Sequence, residues 1–520
     1  MQTIRTRRQF LANVGRGALA ATVGMATAGD LGLASARGDD GPATLSFGAL
    51  EPLVCLMQET PADKLLPALV EQLKAGIGLK RLVAAAALAN ARTFGGEDYI
   101  GFHTMMALSP AFRMSGELPA GLQPLPVFKV LYRNTARIQA FGGRPREVLR
   151  PVKPSGVCET KVPGEFLRDA VRGKDAERAE KIFASIAQTS PADAFNALLY
   201  EVQDNTEIHR TALPYRAWDL LDVVGEEHAH TLLRQSLRYC LKSEAYARNE
   251  KWDRPRTLLP KLLDEHKLHG RAPGTRAVDD AWVEKLSQAI FKSSADQAAD
   301  AAAAALAEGI AADAVGEAIS LATNQLILRD AGRTARDEVS GKPMGSVHGD
   351  SIGVHACDSA NAWRNMAKVS NARNTFACLI LGAYQAALDR GDRGGDFQTW
   401  QPLPLATNLD RIKTKDPAEL LRDLESSVRE SLQARATAVV HRYGELGHPA
   451  RPVFDILLKY AISEDGALHA EKFYRTASEE FASARPAFRW RYLVALARVT
   501  ASEYGRPAAG VAEARRLLDV

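Results

Sequence analysis

The sequence has few cysteines, five in 520 residues, and no cysteine motif. No two of them form a Cys-x-x-Cys pair, so the Cys-x-x-Cys-His sequence that attaches haem is absent as well. These absences argue against a disulfide scaffold, a zinc ribbon and a c-type haem protein. Because the number is odd, at least one thiol stays unpaired within a single chain.

The chain also lacks the glycine-rich motifs of nucleotide-binding folds and the Gly-x-Ser-x-Gly turn of α/β-hydrolases. It has no excess of one charge, since 66 Lys and Arg residues are balanced by 62 Asp and Glu residues. The two signs are interleaved along the chain and form no basic patch. We therefore expect neither a nucleotide-binding enzyme nor a nucleic-acid partner.

Long apolar runs are missing after residue 36, which predicts no membrane contact for the mature chain. The first 36 residues have a different pattern. Arg7 and Arg8 precede Phe10, a mildly apolar stretch covers residues 14–28, and residues 34–36 are Ala-Ser-Ala. This order is typical of a twin-arginine signal peptide over residues 1–36, with a mature start near Arg37.

A twin-arginine signal places the mature protein in the periplasm or outside the cell. This route exports proteins that have already folded or bound a cofactor, which favours a bound metal or organic cofactor here. The alternative is an ordinary amphipathic N-terminal helix with chance arginines. Residues 17–29, however, carry no charge, whereas an amphipathic helix has polar residues every three or four positions.

Strand-like alternation is scarce, and helical spacing extends over most of the chain. Apolar residues recur three and four positions apart, and Ser190 and Asp416 each precede a proline that starts a helical pattern. The sequence predicts an all-α fold of stacked helical hairpins, either an α-α superhelix or a multi-helix bundle, with degenerate internal repeats. Loop composition divides the mature chain into two parts. Residues 37–395 form a helical repeat body that contains the predicted histidine site, and residues 396–520 form a C-terminal helical region packed on this body.

Histidines recur after similar helical pairs. Helical pairs begin near Pro61 and Pro191, a weaker third copy begins near Ala298, and a glycine-containing turn follows each. The histidines after these turns are His103, then His228 and His230, then His348 and His355. Repeated units that place one residue type at one position indicate a shared central site. Chance similarity between Ala-rich helices is the competing explanation.

The densest polar segment covers residues 345–364 and contains His348, Asp350, His355 and Asp358. On a straight helix His348 and His355 are about 10.5 Å apart along the axis, too far to bind one metal as neighbours. They converge only if Gly349 and Gly353 break or bend the helix. The alternative is close helix packing with histidines that are hydrogen-bonded in the core.

Three parts of the chain resemble the histidine-containing helices of questin oxidase-like proteins: residues 101–112, residues 208–221 with 227–239, and residues 354–364. The resemblance covers about 60 residues in short pieces. It implies an α-helical non-haem iron oxygenase in which histidines from separate helices hold the metal, with a modified lysine in some members. Lys342 and Lys368 are near the polar segment, but no pattern assigns the modified lysine to either.

The predicted function is that of an exported metal-dependent, oxygenase-like oxidoreductase that acts on an organic small molecule in an interhelical pocket. A transition metal, iron above others, is the predicted cofactor. The predicted metal ligands are His103, His209, His230, His348 and His355. Asp350 and Asp358 are the predicted catalytic carboxylates, which either orient these histidines or bind the metal directly.

The alternative function is that of a non-catalytic periplasmic helical-repeat binding or scaffold protein, in which the histidines scatter. The histidines set aside as solvated or structural are His266, His269, His441, His448 and His469. Convergence of histidines from three segments would separate the two functions.

Overall fold

The computed structural model describes residues 44–155, 162–246, 249–340, 342–347, 351–392 and 397–520. Within these ranges the secondary structure is helical, and the described residues form only three isolated β-bridges and no strand. The prediction of an all-α fold is confirmed. None of the described helices is long and apolar enough to cross a membrane.

The first twelve α-helices are α1 (Glu51–Glu59), α2 (Ala62–Lys74), α3 (Leu79–Phe94), α4 (Tyr99–Ser115), α5 (Pro124–Phe141), α6 (Pro163–Arg172), α7 (Ala176–Ala187), α8 (Pro191–Val202), α9 (Ile208–Val224), α10 (Ala229–Glu244), α11 (Glu250–Asp253) and α12 (Pro255–Glu265). The others are α13 (Asp280–Lys292), α14 (Ala295–Ala307), α15 (Ala312–Arg329), α16 (Ile352–Val369), α17 (Ala372–Asp392), α18 (Ala406–Leu409), α19 (Pro417–Arg429), α20 (Gln433–Glu445), α21 (Arg451–Ser463), α22 (His469–Ser483), α23 (Trp490–Glu503) and α24 (Val511–Leu518). Single 3₁₀ turns occur at Gly48–Leu50, Ala120–Leu122, Arg144–Arg146, Glu226–His228 and Ala335–Asp337.

Helix starts follow the capping chemistry of the sequence. Helix α8 begins at Pro191 after Ser190, and α19 begins at Pro417 after Asp416. Each capping side chain accepts a hydrogen bond from a backbone N–H in the first helical turn. Proline is favoured in this first turn because its missing N–H would have no partner in the helix. Local sequence therefore determines where these helices begin.

Four helices form a central bundle: α4, α9, α16 and α22. Helix α4 packs on α9, α9 on α16, α16 on α22, and α22 on α4. Helix α3 covers α4 and α9, helices α15 and α17 cover α16, and α21 and α23 cover α22. Neighbours on all sides leave the central helices with few polar faces, and nearly every residue of α9 is buried.

The N-terminal ends of the four central helices carry one histidine each. His103 lies in α4, His209 in α9 and His355 in α16, each within the first five residues of its helix. His469 is the first residue of α22. Because α22 belongs to residues 396–520, the C-terminal region contributes to the central bundle directly.

Candidate metal site

Four histidines meet where the central helices begin. The Nε2 atoms of His103 and His209 are 3.2 Å apart, and those of His355 and His469 are 3.0 Å apart. Ring centroids are 4.8 Å apart for His103 and His209, and 4.9 Å apart for His355 and His469. The two pairs also touch, with centroids of His103 and His469 at 5.3 Å and of His209 and His355 at 6.1 Å.

The tautomer of His103 is determined by its own helix. Its Nδ1 lies 2.6 Å from the backbone carbonyl oxygen of Tyr99, one turn earlier. A carbonyl oxygen only accepts hydrogen bonds, so Nδ1 carries the proton. In the neutral ring, Nε2 then has a free lone pair, and this lone pair is directed at His209.

Glu207 holds His209 in place. One oxygen of its carboxylate is 2.6 Å from His209 Nδ1, and the other accepts hydrogen bonds from the backbone N–H groups of His209 and Arg210 and from the hydroxyl of Tyr239. Burial would raise the pKa of Glu207, but the charge of His209 and these hydrogen bonds lower it to about 2. The carboxylate therefore stays charged and keeps the proton of His209 on Nδ1.

The turn before α22 fixes His469. Ala467 and Leu468 both have a positive φ, 51° and 68°, which is unfavourable for residues with a Cβ atom. Asp465 accepts a hydrogen bond from the N–H of Ala467, and the Ala467 carbonyl oxygen lies 3.1 Å from His469 Nδ1. The strained turn thus directs Nε2 of His469 toward His355.

These contacts bring unshared electron pairs face to face. Nδ1 of both His103 and His209 carries a proton, so neither neutral ring has a proton on Nε2 to place between the two nitrogens. Either one ring becomes an imidazolium or a cation occupies the space between the two Nε2 atoms. Burial and the charge of Lys472 lower the pKa of His103, so an imidazolium in this pair would be His209, which lies beside the charged Glu207 carboxylate.

Lys472 is a member of the site that the sequence analysis missed. It lies one turn after His469 on α22, is only 4% exposed, and acts electrostatically on His103 and His469. Burial lowers its pKa to about 8; the charge of Asp358 opposes the shift and that of Arg216 adds to it. The spacing of His469 and Lys472, three residues apart in a helix, was the only signal in the sequence.

The structure brings together three of the five predicted ligands, His103, His209 and His355. It places His230 elsewhere on α10, where its ring stacks on Phe183 with centroids 5.8 Å apart. His348 and the predicted carboxylate Asp350 lie outside the described residues. His469, which the sequence analysis leaves out of the site, lies beside these histidines, with its Nε2 3.0 Å from that of His355.

The second predicted carboxylate, Asp358, lies one turn after His355 on α16 and is buried. It accepts a hydrogen bond of 2.8 Å from the Thr476 hydroxyl. Burial raises its pKa, against the charges of Lys472 and Arg216 and the hydrogen bond from Thr476. Asp358 therefore belongs to the layer of polar side chains below the histidines.

The histidines approach solvent on the side of Tyr99. The ring of His209 keeps 13% of its surface exposed, whereas His103 and His469 are buried. Tyr99 is 61% exposed, and its ring centroid is 4.5 Å from that of His103 and 5.6 Å from that of His209. Phe102 stacks on His103 from the same helix. Tyr99 therefore borders the accessible edge, and Phe102 is buried beside it.

A cavity of about 1090 Å³ opens at the other end of the central bundle. Its lining includes Arg113 of α4, Asp219 of α9, Arg364 of α16 and Glu479 of α22. These residues lie nine or ten positions after the four histidines, about 15 Å along the helices. The four helices therefore run in the same general direction, with the histidines at one end and the cavity at the other.

The spacing of the four imidazoles resembles that of imidazoles bound to one metal ion. Two nitrogens that bind one ion at about 2.0–2.1 Å lie about 3 Å apart when they are adjacent, and their ring centroids lie about 4.5–6.5 Å apart. The nitrogen distances within both pairs and all four centroid distances agree with these values. In the described part of the chain, no group of three or more His, Cys, Asp or Glu side chains is placed so that it could hold a metal ion. For all four histidines to bind one ion, the pair His103–His209 and the pair His355–His469 would have to move closer together.

Comparison of the chain with protein-family models, with curated proteins and with solved structures finds no significant match. The resemblance to questin oxidase-like proteins therefore stays a prediction that depends on the short histidine segments.

Proposed function

We propose that His103, His209, His355 and His469 bind one transition metal ion through Nε2. We further propose that the protein is a metal-dependent oxidoreductase of the oxygenase type that acts on an organic small molecule. The observation that carries this proposal is the pair His103 and His209, whose Nε2 atoms face each other at 3.2 Å while both Nδ1 atoms are hydrogen-bonded to acceptors.

A purely structural role for this pair requires a protonated His209, held by Glu207, that donates from Nε2 to His103. Core histidines normally donate from one nitrogen and accept at the other, which requires a donor opposite each free lone pair. Here the atom opposite each Nε2 of the pair is another Nε2. Leaving a buried acceptor without a donor costs about 1–3 kcal/mol, and a metal cation removes that cost for both rings.

The residues present fit a transition metal. Imidazole nitrogens suit iron, zinc, copper and nickel, and the resemblance to questin oxidase-like proteins favours iron. Glu207 has the position of the carboxylate that commonly orients a metal-bound histidine. When bound, iron with imidazole ligands and an open position would supply oxygen activation for oxidation of an organic substrate.

The other residues have roles that follow from their surroundings. Glu207 and the carbonyl groups of Tyr99 and Ala467 hold three imidazoles in the tautomer that metal binding requires. Lys472, with a pKa of about 8, can release or accept a proton at Nζ near neutral pH. The exposed ring of Tyr99 gives an organic molecule an aromatic contact at the accessible edge.

Metal analysis of the purified mature protein tests this proposal against the scaffold alternative. We expect about one iron per chain by inductively coupled plasma mass spectrometry, after isolation or after anaerobic reconstitution. His103→Ala, His209→Ala, His355→Ala and His469→Ala should each lose most of the metal while circular dichroism stays helical. His269→Ala, which changes an exposed histidine, is the matched control. A wild-type protein that retains no iron, zinc, copper or nickel would contradict the proposal.

A further inference from the structure

The interior of the central bundle, just below the histidines, contains two buried cations. Lys472 follows His469 by three residues on α22, and Arg216 follows His209 by seven residues on α9. Residues with these spacings share one helix face, so both side chains lie on the same side of their helices as the histidines. Arg216 is 2% exposed and Lys472 is 4% exposed.

Arg216 has an unused donor group. Its Nη2 donates to the Thr476 hydroxyl at 3.3 Å, and its guanidinium carbon lies 5.0 Å from the centroid of the Tyr215 ring. Nη1 is buried and has no hydrogen-bond partner among the described residues. A buried guanidinium normally pairs with a carboxylate, since an unpaired charge in the interior is costly.

Lys472 also lacks a direct partner. It forms no hydrogen bond or salt bridge with the residues that the structure describes. Two carboxylates act on it electrostatically, Asp358 and Glu471. Glu471 is already paired with Lys129, whose Nζ is 2.6 Å from its carboxylate. Asp358 is therefore the carboxylate that interacts electrostatically with both Lys472 and Arg216.

Positive charge thus exceeds negative charge around Arg216 and Lys472. Asp358 supplies one carboxylate, which Thr476 already contacts, against two cations. The N-terminal ends of α4, α9, α16 and α22 add partial positive charge from their backbone dipoles. A metal ion at the histidines would increase the excess. A bound anion balances this excess while Lys472 keeps its proton.

We propose that Arg216 and Lys472 form an anion-binding subsite that takes the carboxylate group of a small organic anion. Arg216 Nη1 and Lys472 Nζ donate to the carboxylate oxygens. Such charge-assisted hydrogen bonds are stronger than hydrogen bonds between neutral groups. The position of the subsite beside a metal depends on the proposed function. The two unpaired cations exist with or without the metal.

Equilibrium dialysis of the mature protein against radiolabelled acetate tests the subsite, in metal-free and iron-loaded samples at constant ionic strength. We expect one acetate per chain with saturable binding. Arg216→Gln and Lys472→Met should each weaken acetate binding at least tenfold. Lys368→Gln is the control, because this exposed cation on α16 lies about 20 Å along the helix from His355. It should bind acetate as the wild type does.

The outcomes separate the two proposals. Absence of saturable acetate binding to the wild type, or equal binding by Arg216→Gln and Lys472→Met, would overturn the subsite even if iron binds. Loss of iron binding with retained acetate binding would overturn the metal site alone. Tighter binding of phosphate than of acetate, measured by competition, would overturn the carboxylate assignment. If Arg216→Gln does not fold by circular dichroism, Lys472→Met decides the result.

Discussion

At the residue scale, the site depends on which nitrogen of each imidazole carries the proton. For three of the four histidines an oxygen atom faces Nδ1: the carbonyl groups of Tyr99 and Ala467 and the carboxylate of Glu207. These three histidines thereby offer Nε2 to the centre. His103 and His355 could be predicted from their recurrence after glycine turns, and His209 from a family resemblance, but the oxygen partners of the other nitrogens require the folded structure.

Glu207 is expected to control metal affinity through His209. Glu207→Gln should weaken metal binding about 10–100-fold, since the amide no longer holds the proton on Nδ1 with a charge. Competition with a chromophoric chelator measures the affinity. Asp416→Asn is the matched control, because Asp416 also caps a helix but lies on α19, outside the central bundle. If both variants bind metal like the wild type, Glu207 does not position His209.

Glu503 should make the stability of the protein depend on pH. Burial raises its pKa to about 8, against the attraction of Lys129. The folded state therefore binds one more proton than the unfolded state between about pH 4.5 and 8, so the free energy of unfolding falls as pH rises through this window. Glu503→Gln should remove this decrease in the free energy of unfolding, because the amide does not titrate. The variant should be more stable than the wild type at pH 8 by about 1–3 kcal/mol.

Urea unfolding at pH 5 and pH 8 measures this effect. The difference between the variant and the wild type should be larger at pH 8 than at pH 5. An equal difference at both values would show that Glu503 has its ordinary acidity in the folded protein.

At the element scale, helix starts place the ligands. Helix periodicity and capping residues predicted the helical class and several starts, including those of α8 and α19. They did not predict which helices would be neighbours. The local match of His230 with His103 suggested equivalent positions, but α10 packs on α7 and α8, and His230 stacks on Phe183. The start of α9, one helix earlier, brings His209 to His103 instead.

The strained turn before α22 is expected to lower the stability of the fold while it positions His469. Ala467→Gly should relieve the positive φ and raise the free energy of unfolding by about 1 kcal/mol. The freer turn should hold the Ala467 carbonyl less firmly on His469 and so weaken metal binding. Ser431→Gly is a matched control, since Ser431 has a φ of 55° and is exposed.

Unfolding and metal titrations of the two glycine variants provide the comparison. Ser431→Gly should gain stability and keep the metal affinity of the wild type. Stronger metal binding by Ala467→Gly would contradict a positioning role for the turn.

At the scale of the whole molecule, the site combines residues more than 350 positions apart. His103 and His469 meet only because α22 closes the central bundle against α4. Periodicity within one segment carries no information about such distant pairing, which explains why His469, Lys472 and Arg216 were missed. Residues 1–43 lie outside the described part of the chain, so the export signal stays a prediction from the sequence.

Export can be tested in cells. Replacing Arg7 and Arg8 with Lys should stop mature protein from reaching the periplasm, because the twin-arginine pair is the recognition element. The variant should still fold in the cytoplasm, since the signal precedes the folded body. Cell fractionation with immunoblotting measures the distribution. Normal appearance of the double variant in the periplasm would show that another route is used.

The central claim is that four histidines bind one metal. X-ray absorption spectroscopy at the iron edge, on the iron-loaded wild type and on His469→Ala, tests it most directly. The account predicts nitrogen or oxygen ligands at about 2.0–2.2 Å, outer-shell scattering from four imidazoles, and loss of one imidazole in the variant. Iron without imidazole scattering, or identical imidazole scattering in wild type and variant, would contradict the four-histidine site.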